Sequence, residues 1–514
     1  PDGNGPAGSI NKNYWQDNFI EDFLERQRLR LPAELRGLAG DNPGKGMARA
    51  AWLWQNHREA WTEHHVALWN DFYRRAISIV HSLGGELMLN SPDTKSIFEA
   101  YYYFGFDYQS IANMGLDYLV SETSSIATEL IWRESEERDD YLNELCAVML
   151  EMRLCMPGVK TLMMPAVQDV VESFDVIRHA PAHLERDYLV QASQQIVNAQ
   201  TQKLERCANG VLVCLGDSLT EADWKLLTNL RRRSLDFNPV SGGDLVWGLD
   251  ENVFGRLKAS HQSNAAWSPY HQVARLISKA GLDISIAGIL DEALINSDLP
   301  LLVTNYDLLN ETQRQALQKR QVLSLVLGDF SELEPPENAP GILCLLRHNL
   351  KMGAFLLGLQ APVADVQEIP FDTEQGEFEN CDFGFSSYRC LAPQAKIPNN
   401  FWLAIGKMFE NQVGKSALLN KAEGIQLLRQ KDADGKQRVM LCSKKYYYLQ
   451  PNYRLSEAET SSLQSLSQFP CADLCVKDGK LATADYYPMP LHIPPKGVLM
   501  FDIKQASSAD PMST

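Results

Sequence analysis

Three short apolar runs, separated by stretches of helical period, constrain this chain more than anything else in it. They are residues 86–90 (Glu-Leu-Met-Leu-Asn), 116–120 (Leu-Asp-Tyr-Leu-Val) and 159–164 (Val-Lys-Thr-Leu-Met-Met). Turn formers bound them: Gly84-Gly85 and Ser91-Pro92 around the first, Gly115 before the second, Pro165 after the third. Runs of this kind read as strands buried on both faces, and strands alternating with helices give a parallel sheet. Residues 1–206 therefore predict a parallel α/β unit. An eight-stranded barrel needs about 250 residues, and only three strands are legible here. The unit reads as the C-terminal part of a (β/α)8 barrel without its first strands. Catalytic groups of such barrels leave the carboxyl ends of the strands, where packing below fixes their direction. Glu122, in Val120-Ser-Glu-Thr-Ser124, stands just beyond the second run. It is the first catalytic candidate, its other reading being a helix cap or a solvated loop residue.

Composition narrows the class. At 514 residues the chain has room for about three domains, and 45% hydrophobic against 22% charged residues allows a sizeable core. A net charge of −17 argues against a nucleic-acid partner, because phosphate binding needs a basic surface. No apolar run has the length of a membrane span. The ten cysteines lack a metal-ligand rhythm: Cys471 and Cys475 have the spacing of a ligand pair, but no second pair completes a zinc site. No metal and no cofactor is expected, and free core thiols favour a reducing compartment such as the cytoplasm. The chain opens on Pro1, so the absence of a secretory leader decides nothing.

The remaining segments divide as follows. Residues 1–13 form a loop whose Gly3, Gly5 and Gly8 satisfy G-x-G-x-x-G, but no strand precedes it and Pro6 removes an amide, so no dinucleotide site follows. A Trp-rich helix spans about 48–83, and its His57-to-His65 run, lacking the H-E-x-x-H spacing, reads as a solvated face. Residues 184–206 read as helical. From 207 to 365, helices and strands recur as a small doubly wound, flavodoxin-like α/β domain. Residues 366–400 make an acidic linker, 401–505 a C-terminal β-sandwich, and 506–514 a polar tail.

Two carboxylates facing a sugar are the minimum for glycoside cleavage, one protonating the leaving oxygen and the other attacking or activating water. Beside Glu122 the second is Asp2, in a loop that would follow a strand end, or Asp169 or Glu172, beyond the run ending at Met164. Asn90, at a strand end, and Trp132 are assigned to substrate contact, as are Asp169 and Glu172 where they are not catalytic. Tyr101-Tyr-Tyr103 and Trp267 are further stacking platforms, or simply core. Gly216-Asp-Ser-Leu-Thr220 resembles the nucleophile block of GDSL-type esterases. That reading needs a later Asp-x-x-His, and none of His261, His271, His348 and His492 has Asp three positions before it.

The order of parts resembles family 42 β-galactosidases and related barrel hydrolases. In the barrel the likeness rests on Ala67-Leu-Trp-Asn-Asp-Phe-Tyr-Arg, then 86–90, then Glu122. In the middle it rests on Leu301-Leu-Val-Thr-Asn-Tyr-Asp-Leu-Leu-Asn-Glu-Thr followed by Val322-Leu-Ser-Leu-Val-Leu-Gly-Asp. It implies an oligosaccharide or glycoside substrate, a glutamine-amidotransferase-like middle domain used for homo-oligomerisation, and Glu122 in the nucleophile's place. Asp2-Gly3 is also similar to an Asp-Gly at the fourth strand of fucosidase-like relatives, where the Asp is a candidate nucleophile. One departure stands out: strands one to four are absent, and with them the Asn-Glu that supplies the usual general acid. The alternative is a non-catalytic carbohydrate-binding or assembly subunit.

Overall fold

The computed structural model describes residues 17–40, 42–91, 97–121, 141–169, 174–214, 216, 218–259, 268–346, 351–359, 366–369, 382–383, 386–387, 397–413, 424–450, 463–467, 474–477, 480–483 and 492–503. Within them the chain is a mixed α/β protein with several sheets.

The first sheet holds four parallel strands in chain order: Met88–Ser91, Tyr118–Ser121, Lys160–Met163 and Gly210–Val211. Leu89, Leu119 and Thr161 are in register and buried towards the helices, where Leu89 and Leu119 join one core with Ile77, Ile111, Leu145 and Met149. The alternate row, Asn90, Val120, Leu162 and Gly210, faces the other way. That face is partly wet: Asn90 is exposed and Met88 is 45% exposed. At its amino end Lys160 donates to the Tyr118 hydroxyl (2.9 Å), and that hydroxyl donates to Glu86 (3.2 Å). Gly210 has a packing reason, since a Cβ there would stand 2.9 Å from Leu162 Cδ2.

The large sheet has nine strands. Its middle five are parallel, in the spatial order Gln195–Val197, Ile286–Ile289, Val246–Leu249, Leu301–Val303, Ser324–Asp329. The antiparallel strand Lys351–Leu357 follows, with Gly341–Leu345 and Val366–Ile369 outside it and Leu204–Arg206 on the opposite edge. Strand order reverses between Val246–Leu249 and Leu301–Val303. In open α/β sheets the crevice at the carboxyl ends there is the usual ligand position. Here side chains occupy it: buried Asp250 accepts from Arg256 (2.8 Å) and from Gln313 (3.1 Å).

Five antiparallel strands form the C-terminal sheet: Leu463–Ser465, Val498–Ile503, Gln437–Ser443, Ile425–Asp432 and Pro239–Gly242. Leu427, Leu441, Leu499 and Phe501 pack with Leu474 on one face. Leu428, Met440, Cys442, Val498 and Met500 pack on the other against Leu142 and Cys146 of helix Tyr141–Cys155 and Leu189 and Val190 of helix Pro181–Ala192. The sheet is therefore anchored by apolar contact to the helices of the first unit.

Several expectations change. Helix Pro181–Ala192 stops before 195–206, which is a hairpin of the large sheet; Asn198 Oδ1 accepts from the Gln200 and Thr201 amides (2.9 Å each) and closes its turn. Gly210–Val211 belongs to the first sheet, so sheet membership interleaves across position 206. Residues 239–242, which Asn238-Pro239 and Gly242-Gly243 mark as a loop in sequence, are a strand of the C-terminal sheet, with Pro239 on its outermost strand as proline requires. Helix Asn399–Val413 precedes the β-rich region, and Gly406 lets it close on Ala280, whose carbonyl oxygen would lie 2.5 Å from a Cβ.

The solvated face expected at 57–65 is overturned as well. Helix Pro43–Ser82 kinks at His57 and buries Trp61, Thr62 and His64. Phe23 of helix Asp17–Gln27 meets the Trp61 ring edge-on at 4.8 Å. His65 Nε2 has no hydrogen-bond partner among the described residues. Burial, then the charge of His64, pushes the His65 ring down from 6.5 to about 3. The unfolded chain takes up this proton near pH 6.5 and the folded one only near pH 3. The neutral ring's contribution is therefore fully present above about pH 6.5 and lost as pH falls towards 3. Urea midpoints between pH 7 and 4 should fall less steeply in His65→Phe than in the parent; equal slopes would exclude His65 as a source of acid lability.

Candidate functional site

Of the candidate groups, Asn90 and Asp169 are described, and both lie towards the carboxyl ends of the first sheet's strands. Tyr118–Ser121 lies between two parallel neighbours, with Asn90 opposite Val120 and Ser91 opposite Ser121. Position 122 is the next residue of the central strand's chain. Glu122 itself, like Asp2, Trp132 and Glu172, lies outside the described residues, as does Trp267. Asn90 is at this edge and exposed. Beyond Lys160–Met163 the chain forms a short antiparallel hairpin, Gln168–Asp169 with Phe174–Asp175. Asp169 is thus on the same edge, and Glu172 falls in the interval between the hairpin's strands.

Sequence reasoning missed what supports this edge. Buried Glu151, on helix Tyr141–Cys155, accepts the backbone N–H of Ile97 at 3.0 Å and so fixes the start of the helix that follows the first strand. Asp175 accepts from the Arg178 backbone (3.0 Å) and side chain (2.6 Å). Burial alone would raise Asp175, but the Arg178 bonds and charge outweigh it and hold the carboxyl below its ordinary range. An i,i+3 pair of this kind was legible in Asp175-Val-Ile-Arg178, but only the hairpin places it here.

The strand Gly210–Val211 continues past its end through a parallel bridge between Cys214 and Ala166. Gly216 and Ser218 follow in the chain, Ser218 in a left-handed turn at φ 61°. Thr220 caps the next helix in a reciprocal box with Asp223, as its sequence implies. Among the described residues no histidine bonds to Ser218. Of the aromatic platforms, Tyr101 is buried, donates to Glu63 (2.5 Å) and lies under the Lys258 ammonium, 4.4 Å from its ring centre; it is core and does not present a stacking face. Among the described residues no group of three metal-ligating side chains occurs and no helix is long and apolar enough to cross a membrane.

No family model matches this sequence, and no curated protein matches it either. Solved structures do resemble it. A β-galactosidase from the psychrophilic Marinomonas ef1 aligns at TM-score 0.42 and 11% identity over 87% of this chain and 68% of its own. A cold-adapted β-galactosidase from Rahnella sp. R3 aligns at TM-score 0.42 and 10% identity with the same coverage. The GH42 exo-carrageenase of Bacteroides ovatus aligns at TM-score 0.42 and 10% identity over 97% of this chain and 65% of its own.

Proposed function

We propose that the protein is a glycoside hydrolase acting on O-glycosidic bonds, with its site at the carboxyl edge of the four-stranded parallel sheet. The observation that carries this reading is the position of Glu122 in the chain, one residue past a strand held on both sides by parallel neighbours. Four parallel strands with helices on one face are half of what an eight-stranded barrel needs. Asp2 is the first candidate for the facing carboxyl. Glu122 is the nucleophile of a retaining reaction: it attacks the anomeric carbon as the leaving oxygen is protonated, and water then hydrolyses the glycosyl ester. That chemistry sets the two carboxyls roughly 5 Å apart. In this reading Asn90 and Asp169 bond sugar hydroxyls, and Trp132 supplies a stacking face.

A 2-deoxy-2-fluoro aryl glycoside tests this directly, because it leaves the glycosyl ester on the nucleophile. Mass spectrometry of the digested native assembly should find the label on the peptide holding Glu122. Labelling elsewhere, or turnover without any trapped ester, refutes the assignment. The GDSL-like block rests on Ser218, whose exposed turn precedes a capped helix. Ser218→Ala should leave aryl glycoside and aryl ester turnover unchanged; loss of ester turnover would favour the esterase.

A further inference from the structure

At the end of the large sheet opposite to its crevice, the large and C-terminal sheets meet along their outer strands, Leu204–Arg206 and Pro239–Gly242, and leave a cleft of about 450 Å³. This lies within the roughly 300–1,000 Å³ usual for small-molecule sites. One wall is apolar, built from Val197, Leu204, Ile286 and Leu299. The other carries Arg429 and Lys431, two residues apart on one strand and so on one face of it.

The Arg429 head group is built in place. Its Nη2 donates to Asp244 at 2.5 Å, and the other Asp244 oxygen accepts the Asp283 amide at 2.9 Å. The Arg429 backbone amide donates to Asp283 at 2.7 Å. Gly242 makes the approach possible: a Cβ there would stand 2.5 Å from the Arg429 carbonyl oxygen. Among the described residues, Arg429 Nε and Nη1 have no hydrogen-bond partner, and neither does the exposed Lys431 ammonium. A guanidinium held at one corner, lining the cleft beside a second cation, is a ready fork for a carboxylate. Asp244 is already neutralised by Arg429, and Asp283 sits behind the strand, 1% exposed.

We propose that this cleft binds a small organic monoanion, a carboxylate on a compact apolar or cyclic body, with the carboxylate between Arg429 and Lys431 and the body against Val197, Leu204 and Leu299. The cleft is lined by no residue of the four-stranded sheet and is independent of the hydrolase reading. Isothermal titration of the full chain with benzoate tests it, with benzamide and inorganic phosphate as controls. Benzoate should saturate at one per chain, with benzamide and phosphate each at least tenfold weaker. Lys431→Gln, on an exposed side chain, should weaken benzoate about tenfold, which is the worth of one charge-assisted contact. Val240→Trp, at a cleft residue that is 55% exposed, should abolish binding by filling the space. Both variants should melt like the parent. No saturation by benzoate overturns the site, as does benzoate affinity unchanged in both variants. Equal binding of benzamide removes the anion requirement, and equal binding of phosphate removes the apolar one; either overturns the ligand class.

Discussion

Glu122→Gln should lower aryl glycoside turnover on the order of 10³-fold or more, with the unfolding midpoint unchanged. The amide keeps the size of the carboxylate and loses only its nucleophilic charge, so folding has little to register. Replacing the nucleophile differs from replacing the acid. Glu122→Ala with added azide should recover turnover, because azide attacks the anomeric carbon from the vacated side and departs as a glycosyl azide of inverted configuration. Recovery with retained configuration would make Glu122 the acid/base, and unchanged turnover in Glu122→Gln would remove it from the reaction. Ser121 and Ser91 stand in register on adjacent strands, so the strand is tied laterally by sheet hydrogen bonds up to Ser121. Leu119 and Val120, earlier on the same strand, are fully buried.

What was legible and what was not follow from the kind of signal each element carries. The strand at 118–121 announced itself through an apolar run between Gly115 and a polar stretch, and the two flanking strands did the same; their parallel alignment agrees with the alternation of helix and strand. Val246–Leu249, central to the large sheet, carries little strand signal, because Gly242-Gly243-Asp244 before it, Gly248 within it and Asp250 after it all read as turn residues. Its Gly248 is there for packing, since a Cβ would meet Leu290 Cδ1 at 2.8 Å. Lys351–Leu357 was hidden in the same way by Gly353, which makes room for Phe330. Neither requirement is visible without the partner side chain.

Polar burial was the least legible property. Glu151 belongs to a residue type normally found outside and His64 to one of intermediate burial, and only tertiary contact turns them inward. The same holds for helix Pro181–Ala192, where His183, Glu185, Arg186 and Asp187 are all buried. Arg186 bonds Asp187 (2.8 Å) and the Ser443 carbonyl (3.1 Å) of the C-terminal sheet. Charged residues in succession read as a solvated helix, and here they form the polar half of an interface whose apolar half is Leu189, Val190, Met440 and Met500. For the site, a carboxylate beyond a strand end could be named from spacing. The hairpin at 168–175 and its Asp175–Arg178 pair could not, because two-residue strands have no periodicity to detect.

Arg438→Met should destabilise the protein by about 3 kcal/mol, the largest loss expected from a single change away from the apolar cores. Arg438 is 3% exposed and meets three elements at once. Its Nε and Nη2 form a fork with Asp502 (2.8 and 3.1 Å) on the neighbouring strand Val498–Ile503. Its Nη1 donates to Asp236 (2.8 Å) and to the Arg233 carbonyl (3.1 Å) at the end of helix Glu221–Leu235. The guanidinium carbon lies 4.5 Å from the centre of the Phe237 ring. Removing one member of a buried ion pair costs about 3–5 kcal/mol, because the remaining charge loses its partner. Lys436 stays 2.8 Å from Asp502 and softens that loss, which sets the expectation at the lower end. Methionine keeps much of the stem's volume, so the deficit reports the charge and the fork rather than a cavity. Arg438→Lys should recover only part of it, since an ammonium cannot serve Asp502 bidentately and reach Asp236 as well. Urea unfolding of both variants at neutral pH decides the matter. A Met variant within 1 kcal/mol of the parent, or a Lys variant equal to it, would show that the helix end and the C-terminal sheet are held together by Phe237 and the surrounding apolar contacts instead.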